Sequence, residues 1–466
     1  MPPVLLIDVV GLSARMIGER TPALRELARR GAMAAMSTVL PAVTCSAQAT
    51  MLTGLMPRDH GAVGNGWFDR ESGEVGLWRQ SNALVRGPKL YERMKERDPS
   101  ARCAKIFWWW NLGARVDLSI TPRPFYPADG RKIVATYSAP HAFGRGLEER
   151  LGPFPFFDFW GPKSGLPSSR WLSDAAIDTL EREKPALTMV YLPHLDYDHQ
   201  RFGPDHPRGL AAIGEVDALC ADLIAAADRA GAAIVIVSEY SINQVTRVVH
   251  VNRLLREAGL LEVRETPAGE ILDTFASRAF AVSDHQVAHV YARDEPALQR
   301  ARQVLTGAKG IEQVLDRTAQ ARFGIDHPRA GDLVLVAERE CWFSYYYWLD
   351  DQRAPDFART VDIHRKPGYD PCELFLDPGL RSPKLRVARR LAQKKLGMRY
   401  LMDVIPLDAS LVRGSHGRLP DDAQDGAVYL SSMPFGSSNP PSREGVVAMT
   451  SVADRVLAML AAKSTP

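Results

Sequence analysis

The chain has 466 residues, 45% of them hydrophobic, enough to bury a large core in one domain with an insertion or in two domains. A formal net charge of +3 gives no bulk sign of a nucleic-acid polymer as partner, although 58 basic residues leave room for a local anion-attracting patch. The five cysteines (Cys45, Cys103, Cys220, Cys341 and Cys372) are scattered, odd in number and free of CxxC pairs, which argues against a disulfide-stapled fold and for a reducing compartment.

The opening MPPVLLIDVVG lacks the basic start, long apolar run and small-residue cleavage site of a leader peptide. No uncharged run reaches the roughly 18 to 20 residues that span a bilayer. A cytoplasmic protein with no membrane partner is the expectation. Residues 4–10, VLLIDVV, are continuously apolar and β-branched, the pattern of a strand buried on both faces. TPALRELARRGA at 21–32 predicts a helix with Thr21 as its cap, Pro22 in its first turn and Gly31 at its end. Further buried-strand runs are KIFWWW at 105–110, LTMVYL at 187–192, AIVIVS at 233–238 and LVLVA at 333–337, with amphipathic helices such as 210–231 between them. This alternation predicts an α/β fold, a mostly parallel central sheet flanked by helices. Residues 251–330 mix helices with the pair SRAFAVSDHQ and AHVYARD, which predicts a small α+β cap inserted into a core formed by 1–250 and 331–466. Residues 340–412 are irregular and end in the basic helix PKLRVARRLAQKKLG, either a solvated face or a surface for anions or a partner.

Ligands of open α/β sheets gather at the carboxyl ends of the strands. Asp8 falls at that end of the first strand, where an Asp serves either as a turn or cap residue or as part of a site. In LPAVTCSAQATMLTGLMPRDHG, 40–61, Thr44 stands at the start of a predicted helix, whose free N–H groups favour an anion. A Thr hydroxyl needs a base or a metal to become a nucleophile, and an ordinary N-cap is the plainer reading of the residue alone.

Spacing adds what residue type does not. Thr44 lies nine residues before Thr53-Gly54, and Pro57-Arg58-Asp59-His60-Gly61 follows. With GDLVLVAERE and the His416-Gly417 pair near the end, these motifs resemble the alkaline phosphatase superfamily, particularly its nucleotide pyrophosphatase/phosphodiesterase and phosphonoacetate hydrolase branch. The resemblance implies a metal-dependent hydrolase of phosphodiester or nucleotide pyrophosphate bonds in small molecules. It implies a covalent phospho-threonine at Thr44 and two divalent ions, usually zinc, with iron or manganese as alternatives. By the same resemblance Asp8, Thr44, Asp196, Glu239 and His416 are ligands. A phosphonate or phosphomonoester hydrolase, or a non-catalytic phosphoester-binding protein with a degenerate metal site, stays open. A sulfatase does not, because Cys45 is followed by Ser46-Ala47-Gln48-Ala49 and not by the Cys-x-Pro-x-Arg context.

Two departures from the family pattern bear on the metal. Where the family has Asp-His-Gly, this chain has Glu239-Tyr240-Ser241. Glu keeps an oxygen ligand, but a phenol titrating near 10 binds zinc poorly and suits ferric iron better. Four residues after Asp196, where the family has His, stands Gln200; His194 and His199 are nearby. If an extended strand runs through 194–196, alternation points His194 and Asp196 to one side, which favours His194. Asp362-Ile363-His364 has the spacing that puts two ligands on one face of an extended segment, so His364 is a candidate replacement, and a solvated loop is the alternative. Asp284-His285 echoes the missing pair but lies in the cap, and His289 reads as a core histidine. Asn111, after the tryptophans of KIFWWW, is a candidate donor to a phosphoryl oxygen, with His194 and Tyr240 as further contacts.

Overall fold

In the computed structural model, residues 1–128, 132–398, 400–436 and 440–462 are described. The run VLLIDV forms the strand Val4–Val9, every residue of it buried. It lies parallel to Leu187–Leu192 on one side and to Ala233–Val237 on the other, which is why a continuous apolar run is needed there. Across the nine-stranded sheet the order is Val446–Ala448, Ala32–Ser37, Ala427–Ser431, Ala233–Val237, Val4–Val9, Leu187–Leu192, Cys103–Ile106, Leu118–Pro122 and Thr136–Ala139. The strand Ala427–Ser431 runs antiparallel to both its neighbours, so the C-terminal segment closes this half of a mostly parallel sheet. Helices such as Leu166–Arg182 and Pro207–Arg229 flank it. The α/β architecture read from the alternating runs is the one observed.

A second sheet is antiparallel throughout, in the order Ala279–Asp284, Val287–Ala292, Leu333–Ala337, Ile311–Leu315. Leu333–Ala337, placed by the sequence in the resumed core, belongs here, so this layer extends past residue 330. A fully buried apolar strand reads alike in either sheet, which is why periodicity could not assign it. Its hydrophobic core also takes in Tyr345, Tyr347, Trp348 and Tyr369 from the segment that looked irregular.

KIFWWW is strand only as far as Ile106. Phe107 and Trp110 adopt φ of 60° and 58°, which no strand tolerates, and the aromatic run turns instead into the core. There the Trp108 indole donates to the Val190 carbonyl and the Trp110 indole to that of Cys45, both at 3.0 Å. Farther on, Lys366 is buried between Asp370 (2.7 Å) and Glu373 (2.6 Å). Burial alone would lower its pKa, but the two carboxylates outweigh that and hold it at about 12. All five cysteines are buried and unpaired. Among the described residues, no helix is long and apolar enough to cross a membrane.

Candidate active site

Thr44 is the first residue of the helix Thr44–Thr53, and Val43 takes the cap position. Its hydroxyl is therefore not spent on capping. It donates to Glu239 Oε2 at 2.8 Å and lies 3.3 Å from the Tyr240 hydroxyl. The whole helix is buried, so the positive end of its dipole acts at Thr44 with little screening by water. Gly54 closes the helix in the left-handed conformation, φ +75°, which explains the Thr-Gly in the motif.

Asp8 faces the same point from the end of its strand, in register with Val237, two residues before Glu239. Gln48, one turn along the helix from Thr44, donates from Nε2 to both Asp8 Oδ2 (3.1 Å) and Glu239 Oε1 (2.7 Å). The backbone N–H of Trp109 in turn donates to Gln48 Oε1. Burial, and then the neighbouring Glu239, raises the Asp8 pKa well above the carboxylate range. Burial likewise pushes Glu239 to about 7. The Tyr240 phenol is raised well above 10 by burial and then by Asp196.

His416 faces Ala42 O through Nδ1 at 2.8 Å. A carbonyl only accepts, so Nδ1 carries the proton and Nε2 keeps a bare lone pair. That Nε2 is buried without a partner and lies 3.9 Å from Asp196 Oδ1, itself buried without a partner. Burial raises Asp196 to about 7. The His416 ring stacks on Tyr240, centroids 3.5 Å apart, and on His285 at 3.7 Å; His285 stacks in turn on Tyr369 at 3.6 Å.

Several predicted residues lie elsewhere. His194 opens a helix, His194–Phe202, instead of continuing a strand, so it and Asp196 diverge by roughly 200° about the helix axis. Its Nε2 meets Glu215 at 2.7 Å on the next helix. His199 Nε2 faces the Gly209 carbonyl at 3.2 Å. His364 is exposed, its nearest polar partner being the Leu77 carbonyl at 3.4 Å from Nδ1. Asn111 donates from Nδ2 to Ile120 O at 3.0 Å, which engages the amide expected to face a phosphoryl group. His289 is the satisfied core histidine expected, bonded to Val63 O and Gly331 N.

Other residues take their places. Gln200 accepts from the Tyr369 hydroxyl at 2.9 Å. Asn65 accepts from the backbone N–H of Cys45, next to Thr44, at 3.0 Å. Its backbone N–H and side-chain amide donate to the two oxygens of Asp284, at 2.8 and 3.0 Å. Asp284 also lies 2.8 Å from His285 Nδ1. The Asp284-His285 pair thus comes from the second sheet to the site, with His285 at φ +60° in the tight turn between its two strands. Asn65 carried no sequence signal beyond its place in an Asn-Gly turn, whereas Asp284-His285 did.

The donor set can be tested against a divalent cation. Asp8 Oδ1, Asp196 Oδ1 and His416 Nε2 are each buried with no donor, the kind of acceptor that a cation satisfies. Asp8, Thr44 and Glu239 are linked by hydrogen bonds directly and through Gln48, while Asp196 and His416 face each other. Only one imidazole is present among these five, because Tyr240 and Gln200 stand at two expected histidine positions. Among the described residues no three or more His, Cys, Asp or Glu side chains converge as a ready-made cage. An oxygen-rich set of this kind fits a hard cation better than a pair of zinc ions.

Comparison with known proteins sets this geometry in a family. The family model of type I phosphodiesterase / nucleotide pyrophosphatase matches residues 4–370. An uncharacterized pyrophosphatase/phosphodiesterase of Schizosaccharomyces pombe is 28% identical over 206 residues, 44% of this chain. The match spans 36% of that relative's length. Among solved structures, phosphonoacetate hydrolase of Sinorhizobium meliloti 1021, in complex with phosphonoformate, superposes with a TM-score of 0.63 at 17% identity, covering 99% of this chain and 96% of that one. An inactive Thr-to-Ala form of murine ectonucleotide pyrophosphatase / phosphodiesterase 5, in complex with AMP, gives 0.58 at 14% identity, covering 100% and 96%. With residues 4–370, four-fifths of its length, matched, the chain belongs to the type I phosphodiesterase / nucleotide pyrophosphatase family, within the alkaline phosphatase superfamily.

Proposed function

We propose that the chain hydrolyses small phosphodiesters or nucleotide pyrophosphates, with Thr44 as nucleophile. The observation that carries this reading is the 2.8 Å hydrogen bond from the Thr44 hydroxyl to Glu239 at the buried start of a helix. Ionised, Glu239 takes the proton as Thr44 Oγ1 attacks phosphorus in line, the leaving oxygen departs, and a phospho-threonine forms. Water then attacks the same phosphorus, the Thr–O–P bond breaks, and Thr44 regains a proton. Thr44 stands at the positive end of a buried helix dipole, which favours a phosphoryl anion there, and Gln48 holds Asp8 and Glu239 in place.

The family generally depends on divalent metal. We assign its retention here to Asp8, Thr44, Glu239, Asp196 and His416, and manganese or magnesium to this donor set ahead of zinc. When bound, the cation would supply charge neutralisation and Lewis acidity. The solved murine relative, inactive as a Thr-to-Ala form and complexed with AMP, supports both the nucleophile and a nucleotide-like substrate. The five buried thiols support a reducing, cytoplasmic setting.

A second reading rests on the replacement of two imidazoles by Tyr240 and Gln200: a phosphoester-binding protein without turnover. The deciding experiment is hydrolysis of an aryl phosphodiester with magnesium, manganese or zinc added in turn. Turnover that disappears in Thr44→Ala and persists in part in Thr44→Ser supports the enzyme. Binding of AMP with no turnover under any metal supports the second reading.

A further inference from the structure

The basic segment 381–399, RSPKLRVARRLAQKKLGMR, carries eight Lys and Arg and no acid. Most of it is the helix Pro383–Lys395. One side fastens this helix to the protein: Val387 packs on the second hydrophobic core, and Arg386 and Arg390 both pair with Asp403. The outward side is the apolar one. Leu385, Ala388, Ala392 and Leu396 recur at helical three- and four-residue steps, and all four are exposed. Leu385 is 70% and Leu396 75% exposed, and Met398 beyond them 54%. Arg389 and Lys395, also exposed, fall on the two flanks of this stripe.

The helix is therefore amphipathic with its apolar stripe turned to the outside and cations along both edges. We propose that this face docks on an anionic lipid surface, the leucines entering the headgroup–acyl boundary and the basic residues meeting lipid phosphates and carboxylates. Charge decides against a second copy, and side-chain type against a nucleic acid. A second copy would bring the same cations face to face, with no acid in the segment to neutralise them. A duplex would meet a leucine and alanine stripe that offers its phosphates no hydrogen bond, and a single strand would find no aromatic face on the helix. The inference replaces the expectation of no membrane partner by peripheral attachment, and it is independent of the chemistry at Thr44.

The test is sedimentation of the full chain with vesicles of phosphatidylcholine alone and of phosphatidylcholine mixed with phosphatidylserine. Binding only to the mixed vesicles, weakened by salt, is expected. A cation near such a surface contributes about fivefold in partitioning, so reversing two in Arg389→Glu/Lys395→Glu should cost at least ~25-fold. Leu385→Glu/Leu396→Glu should abolish binding. Both pairs are exposed, and an unchanged melting temperature controls for folding. Four results would overturn the proposal: no binding to mixed vesicles, equal binding to neutral ones, a dimer that depends on Leu385 and Leu396, or salt-sensitive RNA binding stronger than vesicle binding.

Discussion

Replacing Asp196 by Asn should stabilise the protein when divalent cations are removed, and only above the acid range. Burial raises the Asp196 pKa from 3.8 to about 7. A carboxyl whose pKa is higher folded than unfolded holds its proton more tightly in the native state. Its contribution is thus fully present below pH 4 and is lost as pH rises towards 7. A difference of about 3 units corresponds to roughly 4 kcal/mol, the cost of keeping the ionised carboxylate buried at pH 8 without a counter-charge. Asn has nearly the same shape and carries no charge. In chelator, Asp196→Asn should therefore be about 2 to 4 kcal/mol more stable than the parent at pH 8 and equal to it near pH 4. For a chain of this size that is on the order of 5 °C in melting temperature. With saturating manganese the advantage should vanish, because the parent alone gains the full binding energy. Denaturant titrations across the pH range, with and without cation, measure all three quantities. A variant less stable than the parent at pH 8 in chelator, or a difference that does not change with pH, would refute the reasoning.

The same physics makes further predictions. Glu239→Gln should lower kcat by about a hundredfold or more. An unchanged kcat would remove Glu239 as the base. Lys366→Met leaves Asp370 and Glu373 buried without their cation and should cost about 3 to 5 kcal/mol in urea unfolding. A loss below about 1 kcal/mol would mean that those carboxylates find other partners. Tyr240→His places an imidazole beside Thr44 and Glu239, and calorimetry should show zinc binding at least ~10-fold tighter than in the parent. Equal affinity would show that the phenol is not what disfavours zinc.

The fold was legible wherever burial imposes a pattern. VLLIDVV could only be a strand covered on both faces, and Thr44 to Gly54 could only be a helix with a glycine end. Asp8, Thr44 and Glu239 each stand at the edge of a strand or the first turn of a helix, where residue type alone reads as turn or cap, so only the motif spacing and the family resemblance singled them out. Where the reading failed, the cause was a local conformation that composition does not encode. His194 was read in a strand and lies in a helix, which turns it from Asp196 to Glu215. His364 was read as a candidate ligand, beside a solvated loop, from its two-residue spacing to Asp362 and its charged neighbours, but Lys366 among them is spent on a buried ion pair. Asn65 was beyond reach, and the echo in Asp284-His285 was discounted for lying in the cap, because what brings both to Thr44 is the docking of one sheet against another.

That docking has a consequence for how the site comes into being. The backbone N–H of Gln286 donates to the His416 carbonyl and that of Phe343 to the His285 carbonyl, both at 2.7 Å, while Gly417 lies so close that a Cβ there would meet Gln286 N at 3.1 Å. Asn65 and Asp284 are 219 residues apart, and Ala42 and His416 are 374 apart. No local segment can fold into the pocket, so each closure carries the entropy of a very long loop and must await both hydrophobic cores. The nucleophile belongs to one local helix, but the walls around it depend on contacts between segments hundreds of residues apart. A loosening between the layers would therefore disable the pocket long before either layer melts.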